Sequence, residues 1–286
     1  MRYMLLRRSS SAHEAGTPLS PAAAASLSAF AGAMSAAGVL CAFESLQPST
    51  QGVRLALGEG AAGRVDGPFA DSRELIAGFA VIDVPTKQDA LDWLQRWPAD
   101  AGGAVIELRE GGCPGGCAEI APLEGVGQHG QRYIVLLRSS DELEAETPVP
   151  QAMLDALDAY NAAEAAKGVL LAADGLRTTG RGARFKPGAG RQALVDGPFT
   201  EIKELIAGYW LIRAASMAEA EAWARRTPYP CGAEVELEIR ALAETQLHAA
   251  TDAFTPALRA QEQHVRAEQL EAGMRAQLSA SAPAWR

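Results

Sequence analysis

The sequence has few of the residues whose presence usually identifies a function. Four cysteines in 286 residues are too few for a disulfide framework, so we expect a reducing, cytoplasmic setting. No run of roughly 18 apolar residues occurs, which argues against a membrane-spanning helix. The apolar stretch in MRYMLLRRSS is too short for a signal peptide. Basic residues are outnumbered, at 26 Lys and Arg against 35 Asp and Glu, and a net charge of −9 disfavours a nucleic-acid binder.

Aromatic residues are also scarce, at 6%, whereas 48% of the residues are hydrophobic and 21% are charged. These values are typical of a globular protein, and they predict a core built mainly from small aliphatic side chains. The length suits one large domain or two domains of ordinary size.

The chain contains an internal repeat. The segment DGPFADSRELIAGFAVI begins at Asp66 and DGPFTEIKELIAGYWLI begins at Asp196, and ten of the seventeen positions are identical. The same offset of 130 residues relates Tyr3 to Tyr133, and it relates Trp93 to Trp223. Each half is therefore expected to be the same fold unit, used twice.

Each half follows the pattern β-α-β-hairpin-β-α-β. Ser20 and Pro21 are typical of a helix start, and Gly38 is typical of a helix end. Thr86 and Ser216, each with an acidic residue three positions later, predict the start of a second helix in each half. The offset changes by one residue near the last strand, which we interpret as a bulge.

This pattern predicts an α+β fold of two ferredoxin-like βαββαβ repeats. Helices cover only one face of each sheet, so the other face must be buried against something else. The equivalent face of the other repeat is the simplest partner for it. We therefore expect the sheets to pack face to face as one barrel, a monomer that is a pseudo-dimer, with higher oligomers left open. The expected divisions are a first repeat at 1–110, a glycine- and cysteine-containing linker at 111–130, a second repeat at 131–242 and a helical extension at 243–286.

The DGPF tetrapeptide, the ELIAG that follows it and the opening MRYMLL resemble the YCII-related family, specifically its DGPF-motif branch, here as a tandem duplication. The resemblance implies a dimeric α+β barrel closed within one chain. It also implies a loose grouping with lyase-like and isomerase-like barrels, or an association with sigma factors. Some YCII-type proteins carry a His–Asp pair in a cleft, but here His13 has Leu143 at its repeat position.

Asp66 and Asp196 open the two DGPF turns and are the candidate catalytic residues. A carboxylate there either takes or gives a proton in a pocket, or accepts backbone N–H groups within its own turn. These two roles are not exclusive.

The candidate ligand-binding residues match in pairs across the repeat. Glu44 and Asp174 lie near the end of the second strand of each half, where a carboxylate either is solvated or belongs to a pocket. Arg54 and Arg184 lie on the hairpins, facing away from the neighbouring apolar residues, as solvated cations or as clamps for a carboxylate or phosphate. Tyr209 adds a hydroxyl where the first half has a phenylalanine.

The hairpin of the second half is rich in cations. The hairpin of the second half contains no acidic residue, and its cations are Arg177, Arg181, Arg184, Lys186 and Arg191. The matching stretch of the first half has no net charge. This difference predicts that an anionic ligand would bind on the side of Arg184 and Asp196, unless the hairpin is simply solvated.

Cys113 and Cys117 form a CxxxC in the linker, close to His129. A structural zinc site needs four ligands, so we expect free thiols, with a redox pair as the alternative, and neither a metal nor a cofactor.

Two functions remain open. One is a protein that binds or transforms a small, anionic molecule by metal-free carboxylate acid–base chemistry, as isomerases and lyases do. The other is a non-catalytic regulatory module that acts through a protein partner, such as a sigma factor. The sequence does not decide whether the chain is an enzyme.

Overall fold

The computed structural model describes residues 1–58, 63–70, 75–101, 104–112, 130–188, 193–199, 205–231 and 234–243. The linker cysteines Cys113 and Cys117, and the C-terminal extension from residue 244 onward, lie outside the described residues.

The two repeats have the same order of elements. The first consists of β1 (Arg2–Arg8), α1 (Ser11–Glu14), α2 (Pro21–Ala36), β2 (Leu40–Ser45), β3 (Val53–Leu57), β4 (Gly63–Asp66), β5 (Ile76–Asp83), α3 (Lys87–Gln95) and β6 (Ile106–Glu110). The second consists of β7 (Gln131–Arg138), α4 (Asp141–Glu144), α5 (Gln151–Ala166), β8 (Leu170–Gly175), β9 (Ala183–Lys186), β10 (Ala193–Asp196), β11 (Ile206–Ala214), α6 (Met217–Arg226) and β12 (Val235–Ala241). The four-residue helices α1 and α4 were not predicted from the sequence.

The predicted helix starts are confirmed. The Ser20 hydroxyl accepts the Ala23 backbone N–H at 3.2 Å, and Pro21 occupies the first turn of α2. Thr86 and Asp89 form a complete capping box at the start of α3. Ser216 caps α6 by accepting the N–H of Glu219. These caps fix where each helix leaves its preceding strand.

The strands form two six-stranded sheets, in the orders β10-β9-β6-β1-β5-β2 and β4-β3-β12-β7-β11-β8. Every strand pair is antiparallel. The repeats exchange their hairpins: β3–β4 of the first repeat extends the sheet of the second beside β12, and β9–β10 extends the sheet of the first beside β6. Two single bridges, Leu46 to Leu242 and Gly111 to Leu176, join the sheets at their corners. Each repeat therefore completes the sheet of the other.

Three hydrophobic cores follow from this arrangement. One lies between the sheets and includes Met4, Leu6 and Phe79 with Ile134, Leu136 and Tyr209. The other two lie between each sheet and its own helices, and each also contains side chains from the exchanged hairpin, Phe185 in one and Leu55 in the other. The α+β class and the sheet-to-sheet packing predicted from the sequence are confirmed.

The change of offset near the last strand is not a bulge. Tyr3 pairs with Glu110 and Tyr133 pairs with Ala241, and neither ladder has a register shift. The extra residue of the second repeat therefore lies before β12, between Pro228 and Val235. Among the described residues, no helix is long and apolar enough to span a membrane.

Candidate functional site

The last strand of each repeat carries buried charges on the face that points into the barrel. In β6, Ile106 and Leu108 pack against the helices, so strand alternation directs Glu107 and Arg109 toward the other sheet. In β12, Glu238 and Arg240 occupy the same places. None of these four residues is more than 2% exposed. Each Glu-x-Arg pair is the centre of a buried ionic cluster.

The Glu107 cluster combines β1 and β6 of the first repeat with the hairpin of the second. Arg8 Nη2 donates to Glu107 Oε2 at 2.6 Å, and Arg184 Nε donates to the same oxygen at 2.9 Å. Arg109 Nη1 donates to Oε1 at 3.3 Å, and its Nη2 lies 3.6 Å from Glu144 Oε1. Three arginines therefore surround one carboxylate.

The Glu238 cluster repeats this arrangement with the roles of the two halves reversed. Arg54 Nε donates to Glu238 Oε2 at 2.9 Å, and Arg240 Nη1 donates to Oε1 at 3.0 Å. Arg138 Nη1 lies 3.7 Å from Oε2. Arg240 Nη2 donates to the carbonyl oxygen of Gln47 and lies 3.8 Å from Glu14 Oε1.

Glu14 is held in place by the chain around it. Ser9 Oγ donates to Glu14 Oε1 at 2.6 Å, and the Ser49 backbone N–H donates to Oε2 at 2.8 Å. Burial alone would raise the pKa of Glu14, but the hydrogen bonds from Ser49 and Ser9 and the charge of Arg240 lower it. Glu14 is therefore a fixed negative charge at neutral pH.

The DGPF turns support the outer arginine of each cluster. The Phe69 backbone N–H donates to Ser49 Oγ at 3.2 Å, and the Arg54 guanidinium carbon lies 4.2 Å from the centre of the Phe69 ring. Arg184 lies over Phe199 in the same way, at 4.1 Å. The Gly67–Pro68 and Gly197–Pro198 peptides are cis. A side chain on Gly67 would place its Cβ 1.7 Å from the Ser49 carbonyl oxygen, so only glycine fits there.

Charge dominates the ionisation of Glu107. Burial by itself would raise its pKa, but the charges of Arg8, Arg109 and Arg184 and the hydrogen bond from Arg8 outweigh burial and lower the pKa to about 2. Glu107 is therefore ionised at neutral pH and is a weak base.

His13 and Arg7 adjoin the Glu238 cluster, and the second repeat has leucines in their place. Burial, followed by the charge of Arg7, lowers the pKa of His13 to about 4; Glu14 opposes this, and Arg240 adds a lowering effect smaller than that of Glu14. Burial also lowers the pKa of Arg7 to about 10. Arg7 Nη2 donates to the Ala77 carbonyl oxygen at 3.0 Å. The repeat positions of His13 and Arg7 are Leu143 and Leu137.

The structure places the candidate catalytic aspartates on the surface. The Asp66 side chain is 68% exposed and contacts Arg64 Nη1 at 2.6 Å. The Asp196 side chain is 73% exposed and lies 3.6 Å from Lys87 Nζ. Neither of them belongs to the Glu107 or Glu238 cluster, and their catalytic role stays a prediction.

The candidate ligand-binding residues fall into two groups. Arg54 and Arg184 lie in the ionic clusters. Glu44 and Asp174 lie elsewhere, on the edge strands β2 and β8, and Tyr209 lies in the core between the sheets. Glu44 is opposite Phe79 in its ladder, and Arg132 donates to it at 2.7 Å. Asp174 is opposite Tyr209, whose ring lies 6.1 Å from that of Phe79.

Acids from other elements meet the cations of the second hairpin. Arg177 Nη2 donates to Glu146 at 2.9 Å, and Arg181 Nη1 donates to Glu110 at 3.1 Å. Lys186 is exposed, and Arg191 lies outside the described residues. The positive charge counted along the hairpin is therefore largely balanced in space.

Sequence reasoning missed most of the clusters. It did not single out Glu14, Glu107, Arg109, Glu144, Glu238 or Arg240. The usable signal was the Glu-x-Arg pair, which alternates with apolar residues on the last strand and recurs 131 positions later. The recurrence shows that both repeats carry the pair at the same place, although alternation alone does not distinguish an interior charge from a solvent-exposed one.

In the described part of the chain, no group of three His, Cys, Asp or Glu side chains comes together as a metal site would require. The linker candidates Cys113, Cys117 and His129 fall outside that part.

Comparison with known families gives a match to the YCII-related domain at residues 1–110 and again at residues 132–242. Comparison with curated proteins gives no match. The assignment to the DGPF branch stays a prediction.

Proposed function

This chain belongs to the YCII-related family through both of its repeats, and we propose that it binds a small anionic molecule at the Glu238 cluster. The observation that carries the proposal is an excess of positive charge in a largely buried cluster whose Arg54 side chain is partly exposed. The positive charges are Arg54 and Arg240 of the cluster and the adjoining Arg7, and the negative charges are Glu14 and Glu238. Arg138 is left out of this count because it makes other contacts as well.

Burial makes this excess costly. The Arg240 side chain is fully buried, and its Nε has no hydrogen-bond partner. Its two Nη atoms already pair with Glu238 and with the Gln47 carbonyl oxygen, so Nε is the donor left over, and a buried donor without a partner costs about 1–3 kcal/mol in general. A carboxylate or phosphate from solvent would offset that cost, and arginine is suited to bind either group.

Arg54 provides the point of contact with solvent. Its side chain is 30% exposed, whereas Glu238 beside it is 2% exposed. Its contacts with Phe69 and Glu238 hold the guanidinium in place. A guanidinium that is already ordered loses little conformational entropy when it binds a ligand.

The Glu107 cluster is the less favourable of the two. It has Leu137 where the other has Arg7, and its additional cations Arg177 and Arg181 are accompanied by Glu146 and Glu110. The expectation that the ligand lies near Arg184 and Asp196 remains the competing prediction.

Acid–base catalysis receives less support than binding does. A general base works best when its pKa lies near the working pH. The pKa of Glu107 is about 2, and that of Glu14 is below its usual value. We therefore propose binding as the function and leave a reaction at Asp66 or Asp196 as a separate prediction.

Calorimetric titration with acetate, glycolate, inorganic phosphate and glycerol phosphate tests this proposal. Arg54→Gln should weaken binding about tenfold or more, because a hydrogen bond between charged groups contributes about 1.5–3 kcal/mol. Arg184→Gln is the matched control and should change affinity less than twofold. If the wild type binds none of these anions, the proposal is overturned. A larger loss of affinity in Arg184→Gln than in Arg54→Gln would also overturn it and would favour the competing prediction.

One observation favours the alternative, a protein-binding module. The strands β4 and β10 lie at sheet edges and expose apolar side chains, with Val65 at 58% and Val195 at 55%. Exposed edge strands can pair with an extended segment of another protein. Val65→Lys with Val195→Lys would abolish such pairing and leave anion binding at Arg54 intact.

A further inference from the structure

His13 is one of the residues at which the two ionic clusters differ in their surroundings. This residue lies in α1, directly after β1, and its backbone N–H donates to Ser10 Oγ at 3.2 Å. The next residue, Glu14, is fixed by Ser9 and Ser49 and adjoins Arg240. His13 is therefore held at the edge of the Glu238 cluster by its own backbone and by its neighbour.

The imidazole has an unused hydrogen-bonding atom. His13 Nε2 is buried and has no hydrogen-bond partner. The charged groups that influence the ring are Arg7 on β1, Glu14 on α1 and Arg240 on β12. The ring is neutral at pH 7, because burial and the two arginines disfavour its protonation, and they lower its pKa.

The scaffold does not need a histidine at this position. The equivalent residue in the second repeat is Leu143, which follows the same Ser cap and precedes the equivalent glutamate, Glu144. The packing of this turn is therefore compatible with an apolar side chain. Within the described ranges of the two repeats, an imidazole with an unpartnered nitrogen is present only beside the Glu238 cluster.

We propose that His13 recognises a hydroxyl group next to the anionic group of the ligand. This inference rests on the proposed anion site. The ligand class is then a small hydroxycarboxylate or a phosphate ester with a free hydroxyl. Arginine side chains only donate hydrogen bonds, and the carboxylates of Glu14 and Glu238 are occupied by their own donors. A hydroxyl both donates and accepts, so it can pair with Nε2 in either tautomer of the neutral ring.

The energetic reason is the cost of leaving a buried polar atom unpaired. A hydroxyl removes that cost, whereas a hydrogen or methyl group at the same place leaves it. The wild type should therefore prefer a hydroxyl-bearing anion to its deoxy counterpart by about tenfold, which corresponds to about 1.4 kcal/mol.

Titration of the full chain at pH 7 with two matched pairs, glycolate against acetate and lactate against propionate, tests this inference. The measured quantity is the ratio of affinities within each pair. His13→Leu, which installs the residue of the second repeat, should bring the ratio to about 1, and His13→Gln, whose amide can pair with a hydroxyl, should restore part of it. Leu143→His at the other end of the barrel is the control and should leave the wild-type ratio unchanged.

The outcomes separate the two proposals. If no anion of either pair binds to the wild type, the proposed function fails and the inference fails with it. If both members of each pair bind equally to the wild type, or if the preference persists in His13→Leu, the anion site stands and the role of His13 is overturned. A preference that is lost in His13→Leu and partly regained in His13→Gln supports the inference.

Discussion

Arg54 Nε of the first repeat donates to Glu238 Oε2 of the second at 2.9 Å, and Arg184 and Glu107 make the same contact in the opposite direction, also at 2.9 Å. Both contacts exist because the hairpins are exchanged between the repeats. The exchange carries an arginine of one repeat to a buried glutamate of the other, so the ionic clusters couple the two halves of the barrel.

The first prediction concerns the central carboxylates. Glu107→Gln leaves Arg8, Arg109 and Arg184 around a neutral amide, and it should lower the free energy of unfolding by about 3–5 kcal/mol, because removing one member of a buried ion pair leaves the rest uncompensated. Urea denaturation at pH 7 measures this loss. Asp66→Asn is the matched control, since its solvent-exposed pair with Arg64 should contribute little to stability. Equal losses in the two variants would contradict this reading.

The second prediction concerns the DGPF turn. Gly67→Ala would place Cβ 1.7 Å from a backbone oxygen of Ser49, so the chain must shift, and we expect a loss of about 3 kcal/mol or more. Gly32 lies exposed within α2, where an added Cβ would meet no heavy atom within 4 Å, and Gly32→Ala should stabilise the protein by about 0.5–1 kcal/mol. Thermal unfolding of both variants measures the contrast. An unchanged midpoint for Gly67→Ala would show that the turn is more tolerant than its contacts indicate.

The third prediction is a pH dependence from His13. Its pKa is about 4 in the folded protein, against an ordinary value of 6.5 for an exposed histidine, so the unfolded chain binds the proton more tightly. Stability from this residue is present above pH 6.5 and is lost as the pH falls toward 4. The full shift would give about 2.5 kcal/mol by about pH 4.5, and solvent screening of the partly exposed ring reduces the expected loss to about 2 kcal/mol. The lowered pKa values of Glu14 and Glu107 affect stability below pH 4.5, the ordinary pKa of their carboxyl groups.

Urea denaturation at several pH values between about 7 and 4.5, with His13→Leu beside the wild type, isolates this effect. The variant should lose less stability over that interval by about 2 kcal/mol. Parallel curves for the two proteins would mean that the ring is not kept neutral by its surroundings.

The sequence was sufficient to predict the fold unit and the packing of the two sheets. The repeat offset and the capping residues located the helices and strands, and the bare sheet faces predicted their contact. The exchange of hairpins was not predictable. In VRLAL, the alternation of Val53 and Leu55 with Arg54 is the same whichever repeat supplies the neighbouring strand, so local pattern carries no information about the partner.

The ionic clusters were only partly predictable for a related reason. Arg54 and Arg184 were identified as candidates because they match across the repeat. Glu107 and Glu238 were not, since a glutamate on an alternating strand usually marks a solvent-exposed face. These carboxylates are buried only because two sheets close over them, which is a property of the assembled barrel.

The central claim is that the Glu238 cluster binds a small anion, and anomalous diffraction from crystals grown with millimolar selenate tests it most directly. Selenate has the charge and tetrahedral shape of a phosphate group, and selenium locates it without ambiguity. We predict an anomalous peak within hydrogen-bond distance of Arg54 that is absent in Arg54→Gln crystals and weaker or absent at Arg184. No peak at the Glu238 cluster of the wild type, or an equal or stronger one at Arg184, would contradict the account.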